Sequence, residues 1–115
     1  MELIEKYIAS WNETDPAARR NLIDEVWAAD GRYTDPLADA AGRDQIDAVI
    51  AAVQTQCAGL ELSLAGPIDA HHDIARLSWT LGPRGAGPVV AGVDVAVIQN
   101  GRIATVHGFL DRLPA

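Results

Sequence analysis

Basic residues are scarce in this chain. Nine Lys and Arg stand against sixteen Asp and Glu, a formal net charge of −7, and the basic residues form no run. Binding to a phosphate backbone or an anionic membrane needs clustered positive charge, so neither nucleic acid nor membrane is an expected partner. Cysteine is nearly absent. The single Cys57 excludes an internal disulfide and fits a reducing cytoplasm. No Cys and His spacing suggests a zinc site, so no metal is expected. Long apolar runs are missing too: the longest, Val89–Ile98, is about ten residues and contains Asp94, too short to span a bilayer. The opening Met1-Glu2-Leu3-Ile4-Glu5-Lys6 lacks the basic and apolar regions of a signal peptide, and a cytoplasmic location is expected. Internal repeats, linkers and low-complexity tails are also lacking.

What is present suits one soluble domain over residues 1–115, with 49% hydrophobic and 22% charged residues. Leu3, Ile4, Tyr7, Ile8 and Trp11 recur at helical spacing. Asp15-Pro16 reads as an N-cap and first helical position, opening a second helix that buries Leu22, Ile23, Val26 and Trp27 and stops before Gly31. Arg32–Pro36 reads as a short strand, with Asp35 held extended by the proline. Asp44 caps a third helix carrying Ile46, Val49, Ile50, Val53 and Cys57, which ends at Gly59. From Leu60 the period becomes two. Strands follow at 60–64, 74–81, 89–99 and 102–113, with a turn at His71-His72-Asp73 and a loop at 82–88. Consecutive hairpins with helices on one face make an α+β domain.

The most informative residue is Asp94, an acid inside V-V-A-G-V-D-V-A-V-I. Such a charge costs several kcal/mol of desolvation, roughly, unless paired or neutralised. The strand ends in Asn100-Gly101, a two-residue hairpin turn. Counting back from Gln99 opposite Arg102 sets Asp94 opposite His107, on one buried face. The other face would carry Val89, Ala91, Val93, Val95 and Val97 opposite Ala104, Val106, Gly108 and Leu110. The helices cover one face only, so a second copy of the chain is expected on the outer one.

Tyr7-Ile8, Tyr33-Thr34-Asp35-Pro36-Leu37, Val90-Ala91-Gly92-Val93-Asp94 and Gly108-Phe109-Leu110-Asp111 occur in an order and spacing that resemble the NTF2-like superfamily. Within it, the chain is similar to the SnoaL-like polyketide cyclases and the ketosteroid isomerases. The resemblance implies a cone: three N-terminal helices packed on a curved, mixed, mainly antiparallel sheet. It implies Asp35 as the base that moves a proton next to a carbonyl, Tyr7 as a phenol donor to the developing oxyanion, and Asp94 as a neutral acid giving the second hydrogen bond. His107 departs from the isomerase pattern. An imidazole beside Asp94 favours the carboxylate, and the two then read as an acid–base dyad, closer to what a cyclase needs.

Each residue also has a plainer reading. Tyr7 can be core, Asp35 an Asx turn before proline, and Asp94–His107 a structural ion pair. Trp27 and Trp79 read as core, Asp111 as solvated, and His71 and His72 as a solvated turn. The expected site is a pocket between sheet and helices, walled by Trp11, Val90, Ile98, Ile103 and Phe109 and floored by Asp94 and His107. It would take a small, mostly apolar ketone, steroid-like or polyketide-like, for cofactor-free isomerisation or aldol-type cyclisation. Two alternatives stand beside this: a ligand-binding or structural module without turnover, and a hydratase or epoxide-opening enzyme using an Asp–Arg–Asp set. For the latter, Arg76 is the only obvious internal arginine, and no matching acids surround it.

Overall fold

Asp15 and Pro16 start the second helix as their chemistry requires: the Asp15 carboxylate accepts from the Ala18 amide at 2.9 Å, and Pro16 takes the first turn. The computed structural model describes residues 1–112. Its elements are α1 (Glu2–Asn12), α2 (Pro16–Val26), β1 (Trp27–Asp35), β2 (Ala38–Ala41), α3 (Arg43–Gln56), β3 (Leu60–Leu64), β4 (Asp69–His71), β5 (Ile74–Pro83), β6 (Val90–Gln99) and β7 (Arg102–Arg112). Leu113, expected on the last strand, lies outside the described residues.

The three helices and the α+β class stand as read from the sequence. The elements between them need correction. Trp27 continues the apolar period of α2, yet it is the first residue of β1, which runs to Asp35 and is longer than the expected 32–36. The short strands β2 and β4 were not anticipated. Gly42, not Asp44, occupies the N-cap of α3.

The sheet is mixed. Its hydrogen-bonded order is β2-β1-β7-β6-β5-β3, with β4 beside β5; β1 runs parallel to β7, and the other pairs are antiparallel. The expected cone is not what forms. The path has two free ends, β2 and β3, so the sheet is open rather than closed. Closure would require these edges to pair at a consistent stagger; they are only four and five residues long and lie at opposite ends of the order.

The helices pack on one face. Ile4, Tyr7 and Ile8 of α1, Ile23 and Val26 of α2, and Ile46 and Ile50 of α3 meet Trp27, Tyr33, Leu62, Leu77, Ala96, Ile103 and Val106 of the sheet. Polar side chains tie the layers at the helix ends. Asn12 makes both amide bonds to the Leu62 backbone, each 2.8 Å. The buried Arg19 reaches Asp47 at 2.6 Å and Gln54 at 2.9 Å, joining α2 to α3. The Asn12 bonds thus anchor the end of α1 to β3, at one edge of the sheet.

The β6–β7 hairpin closes through Asn100 and Gly101, both at positive φ (53° and 76°), as an Asn-Gly turn requires. Gln99 pairs with Arg102 and Ile98 with Ile103, but then Val97 pairs with Thr105. Ala104 is an extra residue on β7, a β-bulge. From Thr105 to Leu110 the residues of β7 are displaced by one, so Asp94 pairs with Gly108 and Val95 with His107; a second irregularity follows, with Gly92 opposite Leu110 and Ala91 opposite Arg112.

Candidate active site

That single bulge decides which side chains share the inner face. A slip of one residue exchanges the two faces of a strand. Val106 and Gly108 face inward and are buried; Thr105, His107 and Phe109 face outward. The expected Asp94–His107 dyad therefore does not form. His107 is exposed, with its Nδ1 3.4 Å from the Thr34 hydroxyl on the outer surface. Phe109 is 56% exposed opposite Val93, so it is not a pocket wall. The outer row of β7 is Thr105, His107 and Phe109, not the expected Ala104, Val106, Gly108 and Leu110.

Asp94 remains where the strand pattern put it, on the inner face and only 4% exposed. Its two oxygens have different partners. Tyr7, at 1% exposure on α1, donates its hydroxyl to Oδ2 at 2.7 Å. Trp79 on β5 donates its indole N–H to Oδ1 at 3.1 Å. Trp79 pairs in register with Gly92, and its ring lies where a side chain on Gly92 would stand. On the other side, a Cβ at Gly108 would sit 3.0 Å from Asp94 Oδ1 and 3.2 Å from Asp35 Cβ. One glycine thus lets two acids from β6 and β1 approach across β7.

Asp35 closes this row. Its Oδ2 accepts from the Tyr33 hydroxyl at 2.6 Å, and its Oδ1 accepts from the Leu37 amide at 2.7 Å. The second bond is the Asx turn expected before Pro36. Trp11 packs edge-on to Tyr7 and tilted against Tyr33, with ring centroids 6.4 and 5.5 Å apart. Its Nε1 is buried and has no hydrogen-bond partner among the described residues. Val90, Ile98 and Ile103 share the inner side of the sheet.

The Tyr7 hydroxyl and the Trp79 indole both reach Asp94, and Trp11 packs against Tyr7 and Tyr33. Two surface concavities lie elsewhere: about 230 Å³ beside Asp69, His71, Arg76 and Val95, and about 170 Å³ beside Glu61, Ser63, Thr80 and Arg84. Arg76 is exposed and bridges to Asp69 at 2.8 Å, so it builds no Asp–Arg–Asp set with Asp94. Among the described residues, no group of three or more His, Cys, Asp or Glu could hold a metal ion. No helix among them is long and apolar enough to cross a membrane.

The electrostatics follow from burial. Desolvation raises the Asp94 carboxyl from its ordinary 3.8 to about 6; the Tyr7 and Trp79 hydrogen bonds pull it down, and the Asp35 charge pushes it up. Burial, then the Asp94 charge, holds the Tyr7 hydroxyl well above its ordinary value. Burial and the same acid raise Tyr33 as well. Both phenols are therefore neutral donors, while Asp94 changes charge near neutrality. Tyr33, Trp79, Gly92 and Gly108 are site residues that sequence reasoning did not identify.

A family model for the SnoaL-like domain matches residues 4–106. Among solved structures, a candidate isomerase of the SnoaL-like family from Agrobacterium tumefaciens strain C58 is 39% identical. It aligns with a TM-score of 0.91 over 96% of this chain and 95% of that one. A Catenulispora acidiphila protein with a ketosteroid isomerase-like fold, in complex with trimethylamine, aligns at a TM-score of 0.76 and 22% identity over 93% and 83%. A candidate polyketide cyclase from Sinorhizobium meliloti gives 0.75 and 18% over 94% of each chain. The latter two similarities establish the fold alone. No protein of curated function matches the chain.

Proposed function

From the premise that this chain belongs to the SnoaL-like family, we propose that it moves a proton on a small, mostly apolar ketone without a cofactor. The observation that carries this reading is the buried Tyr7–Asp94 hydrogen bond, 2.7 Å long, with Asp35 flanking it across Gly108. In a β,γ-unsaturated ketone, the Asp35 carboxylate takes the proton between carbonyl and alkene. The electron pair moves onto the carbonyl oxygen, and the same acid returns the proton at the γ carbon. Bonds balance and nothing is oxidised. The Tyr7 hydroxyl, backed by neutral Asp94, donates to the oxygen on which charge develops. That charge itself favours the protonated form of Asp94. Aldol-type ring closure needs the same enolate. Trp11, partly buried and with its N–H unpartnered among the described residues, lies beside Tyr7 and Tyr33 and offers a donor to a ligand there.

The test is conversion of a β,γ-unsaturated ketone to its conjugated isomer, followed by ultraviolet absorbance. Asp35→Asn should cost about 10²–10⁴-fold in turnover while leaving affinity nearly unchanged.

A second reading, a binding module without turnover, draws on one observation. Both Asp35 oxygens are already occupied, by Tyr33 and by the turn amide, which explains this residue structurally. Ketone binding that is indifferent to Asp35→Asn would favour it. Assembly belongs to the proposal as well. Val93, Val95 and Val97 form a half-exposed row beside the exposed Phe109, and a second copy of the chain covers that face.

A further inference from the structure

A neutral carboxyl carries its proton on one oxygen only. The two neighbours of Asp94 differ in what they permit. A hydroxyl donates or accepts, whereas an indole N–H can only donate. Oδ1 faces Trp79 Nε1 at 3.1 Å, and Oδ2 faces Tyr7 Oη at 2.7 Å. A proton on Oδ1 would set the carboxyl hydroxyl against an N–H donor and forfeit the better acceptor, the carbonyl-type oxygen. A proton on Oδ2 leaves Oδ1 free to accept and finds the Tyr7 oxygen ready to receive it.

We propose that Trp79 is a positioning residue: by donating to Oδ1 it fixes the carboxyl proton on Oδ2 and so sets the direction of the Tyr7 hydroxyl. With Asp94 ionised, Tyr7 donates to Oδ2. When Asp94 takes a proton from water, Oδ2–H donates to Tyr7 Oη, and the phenol hydrogen leaves that bond and turns into the site. One proton enters, one hydrogen bond reverses, and the phenol becomes available to a ligand oxygen. The fit of the indole over Gly92 supports a built position, since any side chain there would displace the ring. Tyr7 from α1 and Tyr33 and Asp35 from β1 are the titratable groups set against Asp94; β5 contributes the uncharged indole and β7 the bare Gly108. Among the described residues Asp94 makes no salt bridge, and its side-chain hydrogen bonds are those to Tyr7 and Trp79.

The inference rests on the proposed function only for the identity of the ligand, and its test needs none. The full chain, labelled with ¹³C at Asp Cγ and Tyr Cζ, is titrated from pH 4 to 8 by NMR. In the wild type, Asp94 Cγ and Tyr7 Cζ should move together, with one midpoint near 6. Two variants remove the N–H: 3-benzothienylalanine at position 79, which keeps the double ring, and Trp79→Phe. Each should raise the Asp94 midpoint by about one pH unit, the loss of one hydrogen bond to a charged acceptor. Each should also weaken the coupled Tyr7 response, because the proton then divides between two oxygens. A midpoint unmoved in the folded variants, or a Tyr7 resonance silent while wild-type Asp94 titrates, would overturn the inference. Binding of 2-acetonaphthone, an apolar aryl ketone, is measured separately by calorimetry. Its failure would sink the ketone reading and leave the ligand-free titration standing.

Discussion

Replacing Asp94 by asparagine should make this protein more stable at neutral pH. The carboxyl titrates at 3.8 in an unfolded chain and at about 6 in the fold. The sign follows directly. The folded value is the higher one, so the acid's contribution is fully present below about pH 4 and is lost as the pH rises through 6. The gap of about 2.2, at about 1.4 kcal/mol per unit, makes ionised Asp94 cost about 3 kcal/mol from pH 7 upward. At 4% exposure, solvent screens little of this. Asparagine keeps the shape, accepts from Trp79 and donates to Tyr7, but carries no charge. Over 115 residues the unfolding entropy is about 0.24 kcal/mol per kelvin, so 3 kcal/mol corresponds to about 12 °C in Tm. Thermal melts of both proteins by circular dichroism, from pH 4 to 8, read the difference and cancel the titrating groups that are not coupled to Asp94. The two should coincide near pH 4 and separate by about 12 °C near pH 7.5, with Asp94→Asn the more stable. A gap that does not vary with pH, or a variant less stable at pH 8, would refute the reasoning.

Three further outcomes follow. Gly108→Ala places a methyl 3.0 Å from Asp94 Oδ1 and 3.2 Å from Asp35 Cβ; it should cost about 1–3 kcal/mol in denaturant melts and slow ketone isomerisation more than tenfold. Asp35→Asn removes a charge that raises Asp94, so the Asp94 midpoint by carboxyl NMR should fall, whereas His107→Ala, on the opposite face, should leave it in place. Val95→Glu should convert a dimer into a folded monomer by sedimentation, and a monomeric wild type would remove the outer face from the proposal.

The sequence was a sound guide wherever a single period or a single turn carried the signal. The inner faces of α1 and α3, the Asp15-Pro16 cap and the Asn-Gly turn all appear where their residues imply. Asp94 was legible as buried because no other reading of an acid among valines was available. The register beyond the turn was not, because a bulge leaves no composition of its own. One trace existed: Ile103 and Val106 are both apolar and three residues apart, which breaks the alternation if both face the core. Trp27 misled because it continued the period of α2, although the chain there had already become extended. β2, Ala-Asp-Ala-Ala, lacks the branched and aromatic residues that mark strands. Trp79 was legible as core but not as a donor, since the aim of its N–H depends on the glycine opposite, two strands being needed to see it.

The central claim is that Tyr7 and neutral Asp94 together stabilise an enolate made by Asp35. The pH dependence of kcat/KM for isomerisation of a β,γ-unsaturated ketone tests it most directly, in the wild type and in Tyr7→Phe. The rate should fall as the pH rises through about 6, where Asp94 loses its proton, and Tyr7→Phe should lower it at every pH. A rate that is flat from pH 5 to 8 and indifferent to Tyr7→Phe, or no conjugated product at all, would contradict the account.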